Sequence, residues 1–335
     1  MWPVVERLEG VNARMMLRGR TAVAGRAKHL AVALLLLAGC GLASPSSSVD
    51  RSPAAALSTP RESAEPSFLS LMTSDGARLD GVHRSGGARP DVGILLIHGL
   101  AGTFEGPPIG VLADLLAARG FSTLALNMRD AGCCTFTSLF EDNVSDIDAG
   151  VQFLKDSGAT QIVLAGHSLG TNRVTYYRAQ VGDPAVRALV LLAGVGNAHR
   201  VALAFDITGA GAQALAEAER RIAEDDGADD LLELPLGAIG TFYYTPWSLI
   251  SNGGADTNSD QFRWLPHIDL PVLIVHATRD VLSAVQQPAL AQEVAVGSPQ
   301  ADLVYVEGAD HGFTQHAAEL ADILEAWIAH VLALP

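Results

Sequence analysis

The segment Gln161-Ile-Val-Leu-Ala165 reads as a buried strand, ends in Gly166-His167-Ser168-Leu169-Gly170, and passes directly into a helix-forming stretch. This junction constrains the fold more than any other part of the chain. A strand that turns into a helix within five residues brings backbone against backbone, and a bulky residue two places either side of the serine would clash. The serine itself is thrown up on a strained turn, with its hydroxyl exposed and the first N–H groups of the helix aimed at the same point. A bare G-x-S-x-G occurs by chance, whereas one set between a strand and a helix is specific. The plain alternative is a strand–helix turn whose Ser168 only caps the helix.

The rest of the chain supplies the sheet that such a turn needs. Short apolar runs at 92–97, 122–126, 161–165, 188–192, 272–276 and 302–306 are mostly continuous in Val, Ile and Leu. Parallel strands buried on both faces have that composition. Helical stretches at 109–119, 143–157, 168–180 and 316–333 lie between or after them. The alternation predicts an α/β fold with a doubly wound, mostly parallel sheet. Phe68 to Met72, the turn Asp75-Gly76 and Ala77 to Arg84 predict an antiparallel hairpin at one edge. Nearly eighty residues separate the 188–192 and 272–276 runs, too many for a plain connection. We expect a helical cap at about 197–266, with an acidic helix over 212–233. Its aromatics, in Thr241-Phe-Tyr-Tyr-Thr-Pro-Trp247 and Phe262-Arg-Trp264, either line a pocket or form the cap's own core.

A serine hydroxyl needs a base to act as a nucleophile. Of the ten histidines, His98 ends a strand but belongs to a different motif, and His311 follows the last strand among glycines, in Gly308-Ala-Asp-His311-Gly312. His276 lies inside a strand run and suits the core, and His167 lies inside the turn itself. The base needs a carboxylate to orient it. Asp280 follows the 272–276 run, and the chain order Ser168, Asp280, His311 fits this architecture. Asp310 is the rival, although a sequence neighbour usually points away. An oxyanion needs donors, and the N–H of Leu169 is one. The N–H of Leu100, in Ile97-His98-Gly99-Leu100, is the second, with Gly99 admitting close approach.

These motifs, together with Thr278-Arg279-Asp280 and Asp310-His311-Gly312-Phe313, resemble the α/β-hydrolase superfamily over roughly residues 68–333. Within it, Asn127-Met-Arg-Asp130 and Gly170-Thr-Asn-Arg-Val-Thr-Tyr-Tyr177 resemble esterase-like subfamilies. The resemblance implies a serine esterase working through an acyl-enzyme on Ser168, with His311 moving the proton and no cofactor or metal. Serine at the turn, in place of aspartate, argues against the dehalogenase and epoxide-hydrolase branches. Amide or thioester cleavage, acyl transfer, and a non-catalytic binding role on the same fold are the competing readings.

The N-terminus carries a different message. Residues 1–39 hold six basic residues and two acidic ones, and lead into Leu30-Ala-Val-Ala-Leu-Leu-Leu-Leu-Ala38. A basic region before a short apolar run is the pattern of an export signal. The run is short of the roughly 20 residues that span a bilayer. Leu37-Ala38-Gly39-Cys40 resembles a bacterial lipobox, which implies lipid on Cys40 and attachment to a cell membrane after export. The long lead points to Met15 or Met16 as the start. Residues 40–66, rich in Ser, Ala and Pro, read as a tether, and 67–335 as the folded domain. Removing six bases and two acids would move the formal net charge from −15 to −19. So acidic a domain excludes a nucleic-acid partner and favours neutral small-molecule or lipid esters. Three cysteines cannot build a disulfide framework, and Cys133-Cys134 are expected as reduced thiols in a loop, with a strained vicinal disulfide as the alternative in an exported protein.

Overall fold

The computed structural model describes residues 65–335, except 133, 206–208, 228–229, 236–239, 283–285 and 334–335. The export segment, Cys40 and the tether as far as residue 64 lie outside the described residues.

The hairpin comes first, as β1 (Ser67–Met72) and β2 (Arg78–Arg84). There follow β3 (Arg89–Ile97), α1 (Ile109–Ala118), β4 (Phe121–Leu126), a two-residue β5 (Thr135–Phe136), α2 (Asn143–Asp156), β6 (Gln161–His167), α3 (Leu169–Gln180) and β7 (Val186–Leu192). After an insertion come β10 (Val272–Ala277), α8 (Pro288–Val294), β11 (Ala301–Val306) and α9 (Ala317–Val331). The main sheet has eight strands in the order β1-β2-β4-β3-β6-β7-β10-β11. Six of them, from β4 to β11, run parallel, and the hairpin adds antiparallel strands at the β4 edge. The sheet is therefore doubly wound and mostly parallel.

The reason the strands read as unbroken apolar runs lies in the two faces. Val92, Ile94 and Leu96 of β3 pack with α1 and α9, through Leu112, Leu116, Leu324 and Ile328. Leu95 and Ile97, pointing the other way, pack with α2 and α3, through Ile147, Val151, Val174 and Tyr177. Alternate residues of one strand thus enter different cores, and a polar residue has no face to occupy.

The insertion contains α4 (Ala198–Phe205), α5 (Ala210–Glu224), β8 (Leu232–Pro235), β9 (Thr241–Tyr244), α6 (Pro246–Gly253) and α7 (Gln261–Trp264). It has the expected helices and, beyond them, a three-stranded sheet in the order β5-β9-β8. The acidic helix is shorter than expected. It stops at Glu224 because Asp225 takes a left-handed φ of 53°, and residues 232–235 then pair antiparallel with β9. Thr245 caps α6 through the Ser248 N–H, with Pro246 in the first turn. The two ends of the insertion are sewn together: Gln261 N–H donates to Gly196 O at 3.0 Å and Asn197 Nδ2 to Asp260 at 2.7 Å. Two of the aromatics serve both expected uses, as cap core and as cavity wall, and the two tryptophans serve neither. Phe242 and Tyr244 join Phe136 in the cap's core. Trp247 is 53% exposed, and Trp264 meets Tyr176 of α3 edge-on at 5.2 Å.

Cys134 is disulfide-bonded, which corrects the expectation of a free thiol in this loop. The other two cysteines, Cys40 and Cys133, lie outside the described residues. Among the described residues no helix is long and apolar enough to cross a membrane.

Candidate active site

Parallel strands present the loops at their carboxyl ends to one edge of the sheet, and four of these loops carry the residues singled out above. Ser168 sits between β6 and α3 with φ 55° and ψ −123°, a positive-φ backbone that a non-glycine residue adopts only under constraint. The constraint is visible at the flanking glycines. A Cβ on Gly166 would lie 2.2 Å from Gly170 O, and one on Gly170 would lie 2.4 Å from Ile97 O. The turn is thus wedged against the end of β3. Gly99 completes the contact, since a Cβ there would stand 2.6 Å from Ser168 Cβ and 3.1 Å from its Oγ. The Gly99-Leu100 backbone therefore lies directly beside the serine hydroxyl. Neither the Leu100 N–H nor the Leu169 N–H hydrogen-bonds to a described residue, which leaves both able to donate to a substrate.

His311 and Asp280 meet as well. His311 Nδ1 donates to Asp280 Oδ2 at 2.6 Å. Asp280 is buried, and its carboxylate also accepts from Leu282 N–H at 2.7 Å and Gln286 Nε2 at 2.9 Å. Burial alone would raise its pKa; the hydrogen bonds, that from His311 foremost, outweigh it and hold the carboxyl below its usual value. Asp310 instead accepts the Thr314 N–H, so of the two carboxylates Asp280 is the one paired with His311. Among the described residues no hydrogen bond joins Ser168 Oγ to His311. Such links are often long before substrate binds.

Several further residues hold this constellation, and one of them, Gln286, carries no local signal in the sequence. Gln286 connects Asp280 to the Ala193 carbonyl, at 2.9 Å each. His98 accepts the Met128 N–H on Nε2 at 3.0 Å, so its proton is on Nδ1, which donates to Gly99 O at 2.7 Å. That pair of bonds fixes the turn leading to Leu100. Burial, and then the nearby Arg173 cation, lower the His98 pKa to about 4, so the ring is neutral. His167 Nε2 donates to the His311 carbonyl at 2.8 Å, with the two rings 4.7 Å apart. Its pKa falls to about 3, chiefly through burial and then through His311. Beneath the oxyanion loop, Arg173 is fully buried, pairs with Asp130, and donates to His98 O at 3.3 Å. Asp130 and Arg173 belong to the two segments that resemble esterase-like subfamilies, and their pairing is what brings those segments together.

A cavity of about 140 Å³ opens at the site. Leu100, Leu169 and Leu282 form its floor, and Leu215, Phe242, Tyr244 and Leu249 of the insertion form its roof. The wall is overwhelmingly apolar. Among the described residues no group of three or more His, Cys, Asp or Glu side chains is placed to hold a metal ion.

A strained serine turn and an Asp-His pair at the carboxyl edge of a doubly wound sheet form the layout of a hydrolase of α/β type. A sequence profile of the alpha/beta hydrolase family matches residues 94–323, and the chain belongs to that family. Among solved structures, Est1E from Butyrivibrio proteoclasticus superposes with a TM-score of 0.60 at 19% identity, over 79% of this chain and 99% of that one; it has also been solved with ferulic acid bound. An esterase from Pyrococcus furiosus gives a TM-score of 0.54 at 17% identity, over 81% and 90% of the two chains. The alpha/beta hydrolase GrgF from Penicillium sp. gives 0.60 at 13% identity, over 80% and 98%. At these identities the likeness is one of fold. No match was found among curated protein sequences.

Proposed function

We propose that the protein is a serine esterase that cleaves neutral carboxylic esters through an acyl-enzyme on Ser168. The observation that carries this reading is the 2.6 Å bond between His311 and a buried Asp280 at the sheet edge that presents the strained Ser168 turn. Ser168 Oγ attacks the ester carbonyl while His311 Nε2 takes the hydroxyl proton. Asp280 keeps the Nδ1 proton in place and stabilises the imidazolium, remaining ionised itself. The tetrahedral oxyanion is held by the N–H groups of Leu100 and Leu169, each worth about 3 kcal/mol of transition-state stabilisation. His311 then protonates the departing alcohol, and water, activated by the same histidine, releases the acid. The apolar cavity suits a small, uncharged acyl group.

Ser168→Ala is expected to abolish both hydrolysis of short 4-nitrophenyl esters and labelling by a fluorophosphonate. Unchanged turnover would overturn the reading. Products measured with a competing alcohol or amine present separate hydrolysis from acyl transfer. We further propose that the protein is exported and held at a bacterial membrane by lipid on Cys40. The disulfide at Cys134 supports this, because such bonds persist outside the reducing cytosol.

A further inference from the structure

Buried phenols normally find a hydrogen-bond partner. Tyr177 follows that rule, donating to Asp148 Oδ1 at 3.0 Å. Tyr244 does not. It is 4% exposed, yet its hydroxyl bonds to no described residue. The side chain is nonetheless firmly placed. Its residue pairs with Phe136 across the β5–β9 ladder, and the two rings stack at 4.7 Å with an 18° tilt. The ring forms part of the cavity wall that Leu100 and Leu169 share. Asn252, the other polar side chain of that wall, spends its amide N–H groups on Ser138 O and Ser248 O. Burial, and then the Asp130 carboxylate, push the Tyr244 phenol above its ordinary pKa. It therefore keeps its proton, and it belongs to a cavity wall whose other described side chains, Asn252 apart, are apolar.

We propose that the Tyr244 hydroxyl recognises a second oxygen on the acyl group of the substrate, so that hydroxyl-bearing acyl esters are preferred to plain hydrocarbon ones. This deepens the esterase reading and rests on it. Neither oxyanion donor can fill this role, since both are committed to the ester carbonyl. A site built to hydrogen-bond a substrate oxygen discriminates against the analogue that lacks it, because the buried polar group is then left unpaired.

The test uses the full chain and three neutral esters: methyl hexanoate, methyl 3-hydroxyhexanoate and methyl 6-hydroxyhexanoate. At least one hydroxy ester should exceed methyl hexanoate in kcat/KM by about tenfold, and Tyr244→Phe should bring that ratio close to one. A protein that merely folds less well would lose turnover on all three esters and leave the ratio alone. The same ratio is read as affinity, by calorimetric titration of Ser168→Ala protein and of Ser168→Ala with Tyr244→Phe. Hydrolysis of none of the three by otherwise native protein, with a Tyr244-dependent binding preference, would sink the esterase reading and uphold the tyrosine's role. No preference, or one that survives Tyr244→Phe in both measurements, overturns the role of Tyr244.

Discussion

Two buried histidines make the folded state intolerant of acid. His98 and His167 have pKa values near 4 and 3 in the folded protein, against 6.5 in the free side chain. The unfolded chain therefore binds two protons, below about pH 6.5, that the native state refuses. Stability rises with pH wherever the unfolded state binds more protons. Here it is fully present above pH 6.5 and drains away as the pH falls towards 4 and then 3. The loss is on the order of a few kcal/mol per group, because each tenfold fall in proton affinity corresponds to about 1.4 kcal/mol. Asp280, whose folded value is depressed, gives way at the acid end in the same direction. Denaturant unfolding at pH 7 and pH 4.5 should show this slope. His167→Gln, which keeps an N–H donor but cannot titrate, should flatten it, and an identical slope in the variant would count against His167 as a source. At this scale the sequence was generous with chemistry and silent on support. Ser168, Asp280 and His311 are legible because each sits in a local pattern of strand, turn and glycine. Gln286 has no such pattern, and its bond to Asp280 depends on a loop path that only the fold defines.

Helix α3 organises the site, and its composition hides the fact. Thr171, Asn172, Arg173 and Thr175 look like a solvated face, yet all four are buried. Most of their polar groups are consumed by the structure around them, Arg173 Nε being a buried atom without a partner among the described residues. Thr171 Oγ1 donates to Ser168 O at 2.7 Å, Arg173 supports the oxyanion loop, and Asn172 Nδ2 reaches Gly196 O and Ser259 O, at the two ends of the insertion, at 2.8 and 2.5 Å. Asn172→Ala leaves two buried carbonyls with fewer donors. It is expected to cost roughly 2 kcal/mol and to hasten proteolysis within 197–260. A change below about 0.5 kcal/mol, the low end for one hydrogen bond, would show that Gln261 and Asn197 hold the ends together without it. The long parallel strands were readable from the sequence because burial on both faces writes an unbroken apolar run. Strands β5, β8 and β9 were not, since they are two to four residues long. The partner of Tyr244 in β9 is Phe136, far away in sequence, and no local spacing announces such a pairing.

The whole molecule is acidic, and that bears on the proposed attachment to a membrane. With residues 1–39 removed, as that proposal has it, the formal net charge is −19, which anionic headgroups repel. On the proposal, attachment comes from lipid on Cys40, and more than one acyl chain makes it stable. Cys40→Ser is accordingly expected to move the protein from the detergent phase to the aqueous phase in a phase-partition experiment, with esterase turnover of the soluble form preserved. Retention in the detergent phase would remove Cys40 as the anchor. The small sheet of the cap has a consequence of another kind. One of its three strands, β5, belongs to the loop after β4 and so lies outside the insertion that supplies the other two. The roof is thus braced by a piece of the base. An engineer who cut the chain at Gly196 and Gln261 and transplanted the excised part would carry away two strands and strand the third. Modularity stops short here, and a successful graft onto another hydrolase would have to bring the Thr135–Phe136 segment with it.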